Sequence, residues 1–247
     1  MKNWVIFFFV LLLSSHGSGA DAVEELDFDD SFLFTARAFG DDAFAGIHFH
    51  DADDEDVEIA FDPRFRTTVK RLPEGIDKVS FFKVAKDEKG RNYEQVVAVA
   101  DLSDVESRAM LVFLAQRDAV RNLPFTVIVA DESPGFFEGG TVRFLNLAGA
   151  RLVGSLGDDS FPLEFGFGAD LNYDVENIGE MPIEFAVVVG DRWKIVYSTG
   201  FRVHPKYGTL VLIKPPTRAD SLRVQVEIRR MRVYPKPELE EESASEN

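Results

Sequence analysis

Hydrophobic and polar positions alternate with a period of two through much of this chain. Leu222, Val224, Val226 and Ile228 fall on one side of an extended segment, and Arg223, Gln225, Glu227 and Arg229 fall on the other. That is the pattern of a strand with one face turned to water. Comparable short runs, rich in Val, Ile, Phe and Thr and bounded by Gly, Pro, Asp or Asn, recur along the sequence. They predict strands over Phe32–Phe39, Phe44–His50, Asp56–Phe61, Phe65–Arg71, Lys78–Ala85, Tyr93–Ala100, Ala109–Ala115 and Phe125–Ala130. The series continues with Thr141–Leu147, Arg151–Leu156, Phe161–Phe165, Ile183–Val189, Arg192–Ser198, Tyr207–Lys214 and Leu222–Arg229. Gly190-Asp191 sits between two apolar runs and predicts a two-residue hairpin, because Gly takes the positive φ such a turn requires. Asp62-Pro63 predicts another turn, and Gly166-Phe167-Gly168 reads as a Gly-rich bend. Helical periodicity is nearly absent, with only Asp101–Ser107 suiting a short helical turn.

Regular short strands with turn signals between them predict an all-β, mainly antiparallel, β-sandwich-like fold. Either one unit of about 200 residues or two small packed sandwiches meeting near 117–124 satisfies the pattern. No internal repeat is evident. Trp193 and Tyr197, with Ile195 between them, share a strand face and read as core.

The N-terminus changes the picture of where such a fold would work. Lys2 precedes the apolar run Trp4 to Leu13, and small or polar residues follow as far as Ala20. This is the layout of a secretory signal over residues 1–20, with cleavage after Ala20. The run is short of the roughly 20 residues of a membrane span. It predicts a secreted or periplasmic protein whose mature chain begins at Asp21, with an all-β domain over 21–236. The chain contains no Cys, which excludes thiol catalysis, thiolate metal sites and disulfides. Packing alone must hold the domain, and a chain of this size buries roughly 70% of its unfolded surface.

The formal net charge of −16 is segregated. Fifteen Asp and Glu lie between Asp21 and Asp62 against one base, Arg37, and the acidic tail 237–247 holds five Glu and no base. From Pro63 to Lys236 acids and bases nearly balance, at 23 and 25. The acidic regions have the wrong sign for nucleic acid or anionic lipid. Divalent cations, a basic partner, or ion pairing with the bases that follow at Arg64, Arg66, Lys70 and Arg71 are the compatible readings. The tail composition predicts disorder.

Candidate chemistry is sparse. His48 and His50 are two apart, so on a strand both imidazoles project from one face, a start for a transition-metal site. Glu55 lies five residues on, as in the HxH…E pattern of cupin metal sites, and His204 offers a third imidazole. The bland alternative is two partly exposed histidines at a strand end. Asp51, Asp53 and Glu55 have the alternate spacing of the first half of a calcium loop, but Asp56 stands where such a loop has Gly. A solvated acidic turn is the alternative. There is no GxSxG elbow, P-loop, HExxH or dinucleotide fingerprint.

Phe137-Glu138-Gly139-Gly140 with Phe144-Leu145-Asn146, followed by Gly154-Ser155-Leu156-Gly157, is similar to a motif in uncharacterised exported proteins of Verrucomicrobia-type bacteria. The residues that carry the resemblance lie within 137–158. It implies export and a β-rich fold, and implies no activity or site residues. Together these readings predict an exported, non-enzymatic binding or structural module of the bacterial envelope or exterior, with a protein or glycan partner. The alternative is a metal-dependent or carbohydrate-active enzyme built on His48, His50 and Glu55.

Overall fold

A computed structural model of the chain describes residues 31–39, 42–62, 65–174, 180–216, 218, 221–231 and 233. Residues 1–30, which hold the expected signal and the start of the acidic strip, together with Pro63, Arg64 and the acidic tail, lie outside the described residues.

The first eight strands are β1 (Phe32–Phe39), β2 (His48–His50), β3 (Asp56–Glu58), β4 (Lys70–Leu72), β5 (Lys78–Lys86), β6 (Asn92–Asp101), β7 (Arg108–Leu114) and β8 (Thr126–Asp131). They form an outer sheet, β3-β2-β5-β6, and an inner sheet, β4-β1-β7-β8. The next eight are β9 (Thr141–Asn146), β10 (Leu152–Leu156), β11 (Asp159–Leu163), β12 (Gly166–Asn172), β13 (Met181–Val189), β14 (Arg192–Phe201), β15 (Gly208–Lys214) and β16 (Gln225–Met231). They form an outer sheet, β11-β10-β13-β14, and an inner sheet, β12-β9-β15-β16. The fold is all-β, as the pattern predicts.

The second eight strands repeat the first. Strand order is the same in both halves when β9 to β16 are matched in turn to β1 to β8. Pairing is antiparallel except between β1 and β7 and between β9 and β15, which are equivalent pairs. The repeat extends to single residues. A bulge between β5 and β6 leaves Val97 unopposed, and a bulge between β13 and β14 leaves Val196 unopposed. Both valines are buried. One residue of excess on a strand bends it and sharpens its twist, and the two sandwiches carry that device at equivalent positions.

Three apolar layers hold the four sheets. Phe34, Phe49, Phe81 and Phe113 fill the first sandwich, with edge-on ring contacts such as Phe34–Phe49 at 5.1 Å and Phe81–Phe113 at 4.9 Å. Phe144, Leu163, Phe185, Val211 and Ile213 fill the second. Between the inner sheets lies a third layer containing Met110, Val112, Leu145 and Leu212. The runs Ala109–Leu114 and Thr209–Ile213 are therefore buried on both faces, which is why they read as continuous hydrophobic stretches rather than alternating ones.

Several sequence expectations shift. The stretch 117–124 joins β7 to β8 within one sheet, and the chain passes between sandwiches after β8. The Gly166-Phe167-Gly168 bend is the start of the edge strand β12, with an irregular register between Phe167 and Asp170. Phe44 ends a 3-10 turn, so β2 begins only at His48. Residues 101–107 make β-turn geometry, with Val105 N–H donating to the Leu102 carbonyl at 2.9 Å, instead of a helical turn. The polar side of β16 is not simply wet: Glu227 faces the seam between the sandwiches and accepts from both terminal guanidinium nitrogens of Arg37, Nη1 and Nη2, at 2.5 and 2.9 Å.

Candidate functional site

On β2 the pleat sends Phe49 into the first core and both flanking imidazoles outward. There they close over Phe82, whose ring lies 5.8 Å from that of His48 and 4.9 Å from that of His50, with both pairs near parallel. Phe82 is consequently 2% exposed on an outer sheet face. Each imidazole has its own carboxylate. His48 Nδ1 is 2.6 Å from Asp56 Oδ1, and His50 Nε2 is 3.2 Å from Glu94 Oε1. His204 lies elsewhere, between β14 and β15 of the second sandwich. Its ring rests on Tyr207, and its Nδ1 accepts from the Lys206 amide at 3.1 Å. Among the described residues no three His, Asp or Glu side chains are grouped to hold a metal ion.

Asp51, Asp53 and Glu55 belong to the β2–β3 hairpin turn. Asp51 Oδ1 accepts from the amides of Asp53 and Glu55 at 2.9 and 3.0 Å. The Asp51 amide donates to the Glu55 carbonyl at 3.0 Å, and the Asp54 amide to the Asp51 carbonyl at 3.1 Å. Asp87 to Arg91 makes the same bonds around Asp87 Oδ1, with Gly90 in the position of Asp54. Both Gly90 and Asp54 have positive φ, 77° and 60°. The acidic spacing therefore serves a five-residue turn whose first carboxylate caps backbone amides. The ion pairing expected of Arg66 is made with Glu132 at 2.5 Å, not with the acidic strip.

The second sandwich carries a different surface. On the outward face of β13 and β14, Val188 pairs across to Trp193 and Ala186 to Ile195, with Val153 of β10 beside Ala186. Trp193 is 62% exposed, Ile195 58% and Val188 56%. Trp193 is thus not core, because the bulge at Val196 and the projecting end of the β13–β14 hairpin carry it clear of the packed layer. Tyr197 is half-buried, stacked on Phe185 at 5.7 Å. Beside this face, β14 is the last strand of its sheet. A groove of about 360 Å³ runs along it, lined by residues 194–198 and 221–223.

No protein-family model matches the chain, and no curated protein matches it. The groove and the apolar face are therefore read on their own chemistry. Sequence reasoning missed both, since each depends on which strand ends its sheet. It also missed the seam cluster, where Glu227 receives Arg37, Lys214 at 3.1 Å and Arg229. The one available signal was Arg37, alone among acids yet 4% exposed. Burial pulls its guanidinium below the usual Arg value, and the Glu227 carboxylate opposes that pull.

Proposed function

We propose that this chain is an exported, non-enzymatic binding module of the bacterial envelope or exterior, and that it takes a protein partner on the outer sheet of its second sandwich. The observation carrying this reading is the contiguous patch of Trp193, Ile195 and Val188, each more than half exposed on one sheet face. Large exposed apolar side chains gathered in one place favour association, and Trp is prominent among residues that dominate binding energy. The N-terminal charge and apolar pattern supports export, as does the resemblance of residues 137–158 to exported proteins.

The test is capture of partners from the native envelope extract on immobilised mature protein. A partner retained by the wild type and by His48→Ala/His50→Ala, and lost from Trp193→Ala/Ile195→Ser, supports the reading. Capture that survives the Trp193 and Ile195 changes, or that chelator abolishes, overturns it. Export is tested separately by N-terminal sequencing, which should begin at Asp21.

A further inference from the structure

The internal repeat supplies a template for what belongs in the β14 groove. In the first sandwich the corresponding edge is sealed. The Phe125 amide donates to the carbonyl of the bulge residue Val97 at 3.1 Å. The Phe125 ring packs on Phe44 at 4.9 Å and lies beneath Lys83. β6 packs against β8 there, with no counterpart of like extent between β14 and β16. In the second sandwich Val196 stands in the place of Val97, and Val224, the residue before β16, stands in the place of Phe125. Val224 is a smaller side chain drawn into the second core. Among the described residues Val196 receives no bond corresponding to Phe125 N to Val97 O. The space left is the groove.

We infer that this groove takes an extended acidic peptide segment of a partner, laid beside β14, with one main-chain N–H donated to the Val196 carbonyl and an aromatic side chain filling the room that Phe125 fills in the sister sandwich. This deepens the proposed function and rests on it, because it names the chemistry of the partner at the same sheet. An edge strand offers unpaired backbone groups, and an added strand satisfies them. The charge selects the peptide. Among the described residues, Lys194 and Arg223 are the charged side chains lining the groove, while Glu184 of β13 reaches its Ser198 hydroxyl at 2.9 Å. Both cations are exposed, as a rim that steers an anionic partner requires. The adjoining Leu222 is 44% exposed and offers a second apolar contact.

The probe is fluorescein-labelled acetyl-Glu-Asp-Phe-Asp-Glu-amide, titrated with the mature protein and followed by anisotropy. Saturable binding is expected, weakened about tenfold or more by Lys194→Glu/Arg223→Glu, whose side chains are outside the core. N-methylation of the Phe amide in the peptide should weaken binding about fivefold or more by deleting the single donor. Val224→Phe should close the groove as Phe125 does and abolish binding, with circular dichroism reporting the fold. Absence of saturable binding up to about millimolar protein, the range below which specific recognition falls, overturns the inference. So does an N-methylated peptide that binds as well as its parent, or indifference to the Lys194 and Arg223 changes. If partner capture still depends on Trp193 while the peptide fails, the proposed function stands and this inference alone falls.

Discussion

Single residues show how narrowly some positions are constrained. Gly139 lies against the main chain of Pro205, and a Cβ there would collide with the Pro205 carbonyl oxygen. Backbone cannot swing aside as a side chain does, so Gly139→Ala should cost about 2 kcal/mol, the middle of the range for overpacking, read as a lowered denaturation midpoint. Its neighbours explain the rest of the motif: Phe137 packs in the layer between sandwiches, and Gly140 has φ 87°. Asp54 offers the opposite case. It holds φ 60° where the sister turn uses Gly90, so Asp54→Gly should stabilise by about 0.5–1 kcal/mol by relieving a left-handed L-residue. Since Asp51 already caps two amides, millimolar calcium should raise the melting temperature no more than sodium chloride of equal ionic strength, and a calcium-specific rise would show a site.

Elements carry the pH dependence and the role of the histidine pair. Asp118 closes the loop between β7 and β8, accepting from the Arg121 and Val120 amides, and these bonds hold its carboxyl below the ordinary value. Asp87 is lowered likewise by the Arg91 amide, and Asp101 by Ser103. A carboxylate lowered on folding contributes stability above its unfolded pKa and loses it as pH falls through the folded one. Unfolding midpoints should therefore drop as pH falls below about 4, and Asp118→Asn should flatten that limb. Asp170 has the opposite sign. Burial raises it despite Arg143 at 2.7 Å, so its contribution fades as pH climbs past the ordinary carboxylate value. On β2, His48→Ala with His50→Ala uncovers Phe82. The expected loss is about 1–3 kcal/mol, the scale of exposing an aromatic ring, while EDTA should leave the wild-type melting temperature unchanged.

At the scale of the molecule, two sandwiches share an apolar middle layer and a charged rim. Glu227 is the common acceptor for Arg37, Lys214 and Arg229. Removing it leaves a nearly buried guanidinium without its counter-ion, so Glu227→Ala should cost about 3–5 kcal/mol, the penalty for breaking a buried pair from one side. Because Met110, Val112, Leu145 and Leu212 bind the halves through apolar contact, calorimetry should show one transition in the wild type. Two separated transitions would show that each sandwich is stronger than the seam. The sequence by itself determined the strands that alternate or run continuously apolar, such as β1, β5, β7 and β15, because burial on one or both faces writes itself into side-chain order. It determined the Gly190-Asp191 hairpin, where Val189 pairs with Arg192 and Gly190 has φ 61°, through local turn chemistry. It did not disclose the repeat, since strands of equal topology need only apolar character at matched positions, not matched residues: Phe125 and Val224 hold the same place. Nor did it place Trp193 outside the core or expose the β14 groove. Those follow from which strand ends a sheet and which edge a neighbour seals, and pairing between distant segments, not any local pattern, decides both.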